Sequence, residues 1–159
     1  MVQKSEYRKT LGTFTTGVTI ITTVVNGEKY GFTANSFTSV SLEPPLVLFC
    51  VKKEATFVEA LSKAEVFGIN ILSDQQEALS NRFANPALVN DERFDGIQLT
   101  DNPNGCPKIE GCIAFLDCTQ YQVTEAGDHL IVMGQVESFE RMNHGKPLLY
   151  FGGGYRTLS

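Results

Sequence analysis

The residues best suited to chemistry lie in an uncharged polar stretch from residue 31 to residue 41, GFTANSFTSVS. Its polar side chains are short, namely the hydroxyls of Thr33, Ser36, Thr38, Ser39 and Ser41 and the amide of Asn35. A solvent-facing strand normally carries Lys or Glu, so a neutral row of short donors favours contact with a polar ligand such as a phosphate. The same residue types are common on strand faces and in turns, and the stretch alone leaves both interpretations open.

The next segment brings two positive charges close to this stretch. Pro44 and Pro45 cannot donate hydrogen bonds to a β-ladder, so a new strand must begin around them. The run LVLFCV at residues 46–51 is continuously apolar, which is typical of a strand buried on both faces. The run ends at Lys52 and Lys53, so two cations follow soon after the row of hydroxyls.

Two further residues are candidates for an anion site. Thr56 lies at the predicted N-terminus of a helix over residues 56–64, where free N–H groups favour an anion, although a Thr at this place is also an ordinary helix cap. Arg82 lies near the end of a helix predicted over residues 75–84. Its planar guanidinium suits a phosphate, although a cation near a helix C-terminus also complements the helix dipole.

His129 follows Gly127 and Asp128 at the predicted tip of a hairpin. A single histidine at the start of a strand is usually a structural residue with satisfied hydrogen bonds. Neighbours on a strand point to opposite faces, so the side chains of Asp128 and His129 need not hydrogen-bond to each other. The other histidine, His144, is expected in a solvent-exposed turn.

Glycines near the C-terminus, at residues 152–154, follow a strand but open no helix, so they are not a dinucleotide-binding fingerprint. They fit either a turn or a close approach of the backbone to a ligand. Neither that fingerprint nor a P-loop motif occurs elsewhere in the sequence.

The elements that must position these residues are mostly strands. Helices are predicted over residues 3–12, 56–64 and 75–84, and strands over 13–25, 46–51, 66–72, 112–124, 129–139 and 148–151, with a hairpin at Asn26-Gly27. Residues 85–111 form a long connection that could cover a site. Strands joined by hairpins favour a mainly β fold, a closed or nearly closed antiparallel barrel with a few helices outside it.

Composition narrows the class of protein. The 159 residues, with 42% hydrophobic and 19% charged side chains, predict one globular domain over residues 1–159. A net charge of -5 argues against a nucleic-acid partner. The N-terminus lacks a signal sequence and no apolar run is long enough for a membrane helix, so we expect a cytoplasmic protein with no membrane partner. The spacing of the four cysteines fits no zinc site, so no metal is predicted.

Taken in order, these motifs resemble the flavin reductase-like family of FMN-binding split barrels. The family pattern is a G-x-T-x-N-S-x-x-S-V-S segment, a Pro-Pro pair, a buried strand and a basic turn, and the matching residues are Gly31, Thr33, Asn35, Ser36, Ser39, Val40, Ser41, Pro44 and Pro45. Residues 81–84 resemble the family segment that closes over the phosphate end of the flavin. Residues 127–129 resemble a G-D-H triplet near its nicotinamide side. The resemblance covers about residues 12–155.

The resemblance implies a Greek-key split β-barrel with peripheral helices, a homodimer, FMN or FAD as the flavin, and NADH or NADPH as the hydride donor. It further implies an enzyme that reduces flavin and supplies it to a separate flavin-dependent monooxygenase, like the reductase component of 4-hydroxyphenylacetate 3-monooxygenase. One alternative is an electron-transfer protein of the flavoredoxin type that holds FMN tightly. Another is a split barrel that binds haem or a different ligand.

Carried onto this sequence, the resemblance and the patterns above predict one cofactor site. Its predicted residues are Thr33, Ala34, Asn35, Ser36, Ser39, Val40, Ser41, Cys50, Val51, Lys52, Lys53, Thr56, Asn81, Arg82, Phe83, His129, Tyr150 and Tyr155. His129 is the predicted catalytic residue, which would orient the nicotinamide nucleotide. Tyr150 or Tyr155 would line the same pocket.

Overall fold

The computed structural model describes residues 1–142 and 145–159, so the turn expected at His144 lies outside the described residues. The helices are α1 (Lys4–Leu11), α2 (Thr56–Lys63), α3 (Glu77–Ala84) and a 3-10 helix (Asn90–Phe94). The strands are β1 (Thr16–Gly17), β2 (Thr19–Val25), β3 (Glu28–Ala34), β4 (Thr38–Leu42), β5 (Pro45–Lys52), β6 (Val66–Ile71), β7 (Leu99–Thr100), β8 (Lys108–Ile109), β9 (Ala114–Ala126), β10 (His129–Arg141), β11 (Leu149–Phe151) and β12 (Gly154–Arg156). The predicted mainly β fold is confirmed.

The main sheet has seven antiparallel strands in the order β3-β2-β6-β9-β10-β5-β4. Its two edge strands, β3 and β4, are consecutive in the chain and are joined only by residues 35–37. The Cα atoms at the two ends of this connection can be at most about 14 Å apart, because an extended chain advances about 3.5 Å per residue. The edges must therefore approach each other, and the sheet curls into a barrel. Within the described residues no ladder joins β3 to β4, so the barrel is split at this seam.

The first hairpin forms where the sequence predicts it. β2 and β3 pair Val25 with Glu28 and are joined by Asn26 and Gly27 alone. Both loop residues have positive φ, 51° and 82°, which is the combination that an Asn-Gly turn adopts readily. The strand predicted over residues 13–25 is divided, because residues 16–17 pair with a different sheet.

The barrel interior is filled by aromatic and aliphatic side chains. Phe49 on β5 and Phe67 on β6 are fully buried, with ring centroids 5.1 Å apart at an interplanar angle of 82°. The helix α2 packs its apolar face against this core through Phe57, Ala60 and Leu61, as the sequence predicts. Val47, Phe49 and Val51 of β5 are buried, whereas Leu48 and Cys50 between them are only partly buried. The strand predicted to be buried on both faces is therefore fully buried on one face and half-covered on the other.

A second apolar cluster anchors the long connection over residues 85–111. Phe83 of α3 packs edge-on against Phe94 of the 3-10 helix, with ring centroids 4.9 Å apart. Farther along, the fully buried Asn70 amide on β6 accepts the Ile109 N–H at 2.8 Å and donates to the Ile20 carbonyl at 3.1 Å. These contacts fasten both ends of the connection to the barrel.

The C-terminal residues form more structure than the sequence predicts. β11 pairs with β1 on one side and with β12 on the other, which makes a three-stranded sheet, and β12 was not predicted. Gly152 and Gly153 have φ of 59° and 78° and form the two-residue turn between β11 and β12. The turn interpretation of this glycine run therefore applies to its first two residues.

Three of the four cysteine thiols are buried and unreactive. The four cysteines are free. Burial raises the pKa of Cys106, Cys112 and Cys118 to about 12, so these thiols stay protonated and weakly nucleophilic at neutral pH. No helix among the described residues has the length and apolar character that crossing a membrane requires.

The close packing of the central strands gives a test of this core. A Cβ atom on the buried Gly134 of β10 would collide with the Phe67 ring and lie 2.9 Å from Cβ of Cys118. Gly134→Ala is therefore expected to lower the free energy of unfolding by about 2 to 3 kcal/mol, measured by urea denaturation. The control is Gly17→Ala, since a Cβ there has no neighbour within 4 Å. Equal stability of the two variants would contradict the packing described for β10.

Candidate functional site

A cleft of about 530 Å³ opens where several strand and helix ends meet. One part of its wall is residues 32–36, at the end of β3 and in the connection after it. Another part is residues 50–52, at the end of β5, together with residues 55–57 at the start of α2. The remainder comes from α3, the connection after it and the start of β10, through Phe83, Ala84, Pro86, Val89, Arg93 and His129. We call this the first cleft.

Ten of the predicted site residues line the first cleft. They are Thr33, Ala34, Asn35, Ser36, Cys50, Val51, Lys52, Thr56, Phe83 and His129. The pairing of strands explains how residues so distant in sequence meet. His129, the first residue of β10, pairs directly with Lys52, the last residue of β5.

Two hydroxyls of this wall are already bonded to protein partners. Ser36 Oγ accepts the Cys50 N–H at 2.9 Å and donates to the Cys50 carbonyl at 3.1 Å. Thr33 Oγ1 donates to the Ser80 carbonyl at 2.6 Å. A hydroxyl has one proton to donate, so while these bonds last neither group can donate to a phosphate, and each can offer a ligand only a lone pair. Their main role is to join the barrel edge to β5 and α3.

The charged groups of the first cleft are of one sign. Lys52 is exposed and Arg93 is half-buried, and His129 lies beside Lys52 in the β5–β10 ladder. Among the described residues that line the cleft there is no Asp or Glu. A basic cleft in a chain of net charge -5 is a local reversal of the overall charge, and it favours an anionic ligand.

Arg93 is a lining residue that the sequence reasoning missed. Its guanidinium donates to three backbone carbonyls, those of Leu88 at 2.9 Å, Gly31 at 2.6 Å and Asn85 at 3.1 Å. Burial lowers the pKa of Arg93, but a guanidinium stays charged at neutral pH. The side chain thus ties the connection after α3 to β3 and carries a positive charge into the cleft wall.

The predicted phosphate ligand Arg82 has a different placement. It does not line the first cleft. Its Nε donates to the Arg93 carbonyl and its Nη2 to the Glu92 carbonyl, both at 2.7 Å. Arg82 therefore holds the backbone of the 3-10 helix and, through it, the residue that does reach the cleft.

The N-terminus of α2 faces the first cleft. Its N-cap is Ala55, which has no side-chain hydrogen bond, and Thr56 is the first helical residue. The interpretation of Thr56 as a plain cap is thus wrong, because the chain turns into the helix one residue earlier. N–H groups of an uncapped first turn lack side-chain partners, and together with the helix dipole they favour an anion at this end of the cleft.

His129 is held by its neighbour Asp128. The Nδ1 of His129 and Oδ1 of Asp128 are 2.7 Å apart, a hydrogen bond that strand alternation does not require. Asp128 lies in the turn before β10, where that alternation does not apply. The hydrogen bond to His129 lowers the pKa of the Asp128 carboxyl. As the carboxylate accepts from Nδ1–H, the Nε2 atom is left for a ligand.

The other predicted site residues lie outside the first cleft. They are Ser39, Val40, Ser41, Lys53, Asn81, Arg82, Tyr150 and Tyr155. The first three lie on β4, beyond the seam. Lys53 Nζ pairs with the Glu125 carboxylate at 3.1 Å.

Tyr150 and Tyr155 belong to the C-terminal hairpin. Tyr150 lines a second cleft of about 880 Å³, which shares Asn35 and Ser36 with the first. The Tyr155 hydroxyl lies 2.6 Å from Ser80 Oγ. Within the described residues no group of three or more His, Cys, Asp or Glu side chains is placed to hold a metal.

Comparison with known proteins agrees with this arrangement. The family model described as "Flavin reductase like domain" matches residues 11–159. The reductase subunit of a flavin-dependent monooxygenase from Rhodococcus jostii is 38% identical over 157 residues, which is 99% of this chain and 79% of that protein. A probable flavin reductase from Rhizobium meliloti is 43% identical over 94% of this chain, which spans 47% of its length, about half.

Solved structures of related proteins have a similar fold. An NADH:FAD oxidoreductase from Streptomyces globisporus, in complex with NAD and FAD fragments, superposes with a TM-score of 0.92. It is 36% identical, and the match covers 99% of this chain and 93% of that one. The predicted split barrel is thereby confirmed. Because the match spans nearly all of the sequence and is supported by relatives of this identity, we conclude that the chain belongs to the flavin reductase-like domain family.

Proposed function

We propose that this chain is a NAD(P)H-dependent flavin reductase that reduces FMN or FAD and supplies reduced flavin to a separate monooxygenase component. The observation that carries the proposal is the first cleft, whose charged lining groups are the cations Lys52 and Arg93 with His129 beside them. Flavin and nicotinamide nucleotides are both anionic. Relatives named as monooxygenase reductase subunits and as an FMN reductase using NADH support the same activity.

The first cleft fits a flavin in size and chemistry. Its volume of about 530 Å³ lies in the range of about 300 to 1,000 Å³ that small-molecule sites occupy. Phe32, Val51 and Phe57 give it apolar surface for a ring system. The start of α2 together with Lys52 gives it an end suited to a phosphate. An apolar wall with an anion-binding end matches a molecule made of a planar ring and a phosphate.

When bound, the flavin supplies the redox chemistry by accepting a hydride from the reduced nicotinamide. The protein therefore needs no general acid or base, and its residues act by binding and orientation. Lys52 and the N-terminus of α2 neutralise the phosphate. Arg93 fixes the connection after α3 over β3 and adds positive charge. His129, oriented by Asp128, presents Nε2 to the nicotinamide nucleotide.

Steady-state oxidation of NADH, with and without added FMN or FAD, tests the function. A reductase that releases its flavin oxidises NADH at a rate that depends on added flavin. An electron carrier of the flavoredoxin type would instead keep a yellow flavin through gel filtration and turn over slowly. Absence of NADH and NADPH oxidation with either flavin would reject the proposal.

The proposed assembly is a homodimer in the cytoplasm. Leu42 and Phe139 are exposed by 91% and 78%, and large exposed apolar side chains are typical of interfaces. Free cysteines suit a reducing compartment. Light scattering is expected to give twice the 17.5 kDa chain mass at micromolar concentration. A stable monomer would overturn the dimer.

The two adjacent lysines at the end of β5 allow a matched test of the phosphate end. Lys52→Gln is expected to weaken FMN binding about tenfold, as for one lost charge-assisted hydrogen bond, and to affect riboflavin, which lacks the phosphate, much less. Fluorescence titration measures both affinities. Lys53→Gln is the control, since Lys53 pairs with Glu125 outside the cleft. Equal losses for FMN and riboflavin, or for both variants, would exclude Lys52 from this role.

His129 is expected to act on the nicotinamide nucleotide. His129→Ala should lower kcat/KM for NADH about tenfold and leave the flavin Kd nearly unchanged, because it removes orientation and not proton transfer. Asp128→Asn keeps an acceptor for Nδ1 and should cause a smaller loss. Stopped-flow flavin reduction and flavin titration measure the two effects. An unchanged reduction rate with weaker flavin binding would instead assign His129 to the flavin.

A further inference from the structure

The 3-10 helix lies along the edge of β3 that faces away from β2. Lys29 and Gly31 are two residues apart, so their backbone groups point to the same edge of the strand. There the Lys29 N–H donates to Asp91 Oδ1 at 2.7 Å, and the Gly31 carbonyl accepts from Arg93 Nη1 at 2.6 Å. Side chains of the 3-10 helix thus bond to backbone groups of β3 that no strand pairs with among the described residues.

Glu28, the first residue of β3, bonds to the start of the 3-10 helix. Its Oε1 accepts from Asn90 Nδ2 at 2.8 Å, and its Oε2 accepts from the Tyr30 hydroxyl at 3.0 Å. The bond to Glu28 raises the pKa of Tyr30, which keeps the phenol protonated as a donor. Both oxygens of this half-buried carboxylate are therefore engaged, although Glu28 is not a lining residue of the first cleft.

Asn90 depends on its bond to Glu28. It is the first residue of the 3-10 helix and has a positive φ of 51°. Within the described part of the chain its Oδ1 is buried without a hydrogen-bond partner. If Nδ2 also lost its acceptor, the amide would be unpaired, and burying an unpaired amide is costly. Movement of the helix start toward water would relieve that cost.

Such a movement would change the wall of the first cleft. Val89, directly before Asn90, and Arg93, three residues after it, both line the cleft. The far end of the helix is held by Phe94, which packs edge-on against Phe83. The start of the helix has no comparable aromatic contact among the described residues, so its polar bonds to β3 carry more of its placement.

We propose that Glu28 is a positioning residue of the flavin site. Through its bond to Asn90 it holds the start of the 3-10 helix, and with it Val89 and Arg93, in the wall of the first cleft. The proposal rests on the proposed function, since the ligand whose affinity it sets is the flavin.

The sign of the effect separates positioning from charge. Glu28 is negative, and its removal would by charge alone strengthen the binding of an anionic flavin. Positioning predicts the opposite, because a displaced helix start takes a cation and an apolar side chain out of place. A purely structural role in the β2–β3 hairpin would lower thermal stability and leave flavin affinity unchanged.

The direct test is a fluorescence titration with FMN. Glu28→Ala is expected to weaken binding about tenfold, whereas Glu28→Gln keeps an acceptor for Asn90 and should bind like the wild type. The control is Glu65→Ala, which makes the same change at an exposed residue outside the cleft. Unchanged or tighter binding by Glu28→Ala overturns the proposal, as does an equal loss in Glu28→Gln.

A double-mutant cycle tests whether Glu28 acts through Asn90. Asn90→Gly removes the amide and tolerates the positive φ, so it should weaken FMN binding as much as Glu28→Ala does. The double variant should then be no weaker than either single variant, because both remove the same bond. Losses that multiply in the double variant would overturn the proposed route.

Hydrogen exchange followed by mass spectrometry needs no flavin. The N–H groups of Glu92 and Asp95 bond to the carbonyls of Val89 and Glu92, and Glu28→Ala is expected to speed their exchange while Glu28→Gln does not. Unchanged exchange in Glu28→Ala overturns the proposal. Wild type that binds neither FMN nor FAD rejects the proposed function as well, whereas flavin binding of equal strength in wild type and Glu28→Ala rejects the positioning role alone.

Discussion

Closure of the sheet across residues 35–37 is the constraint on which the rest of the structure depends. The connection is so short that the edges β3 and β4 must approach each other, and Ser36 in this connection bonds to both backbone groups of Cys50 on β5. The ends of β3 and β5 are thereby brought together, with α2 beginning directly after β5. The first cleft lies at this meeting point. The polar residues Asn35 and Ser36 of this connection therefore help to close the barrel and also line the first cleft.

Local patterns predict the parts of the fold that depend on neighbouring residues. The Asn26-Gly27 turn, the apolar strand after Pro45 and the buried face of α2 all follow from side-chain period and turn chemistry. The C-terminal three-stranded sheet does not, because its partners come from opposite ends of the chain. The hydrogen bonds of Asn70 could not be predicted either, because the position of an Asn in a strand does not show which distant carbonyl or N–H group its amide will contact.

The candidate site likewise contains residues that the sequence predicts and residues that it does not. Residues next to the hydroxyl-rich stretch and at the ends of β5 and β10 lie together in one cleft, as expected from their residue types and from hairpin pairing. Arg93 was missed because its position depends on how a poorly periodic connection folds back over β3. Arg82 was favoured for its charge near a helix end, yet it supports the segment that carries Arg93. The sequence shows that a residue is an arginine, but which carbonyl or ligand its guanidinium contacts depends on how the chain folds.

The position of β5 between β4 and β10 also bears on how the protein reaches its native state. β4 is available as soon as β5 is synthesised, but the other edge of β5 must wait for β10, which is encoded far downstream. Non-local pairing of this kind slows folding, because a long loop must close before its contacts form. During that interval the apolar β5 presents an unpaired edge, which is the usual starting point for aggregation. The strand that supplies one wall of the cleft is therefore also a segment exposed to misassembly while the chain is being made.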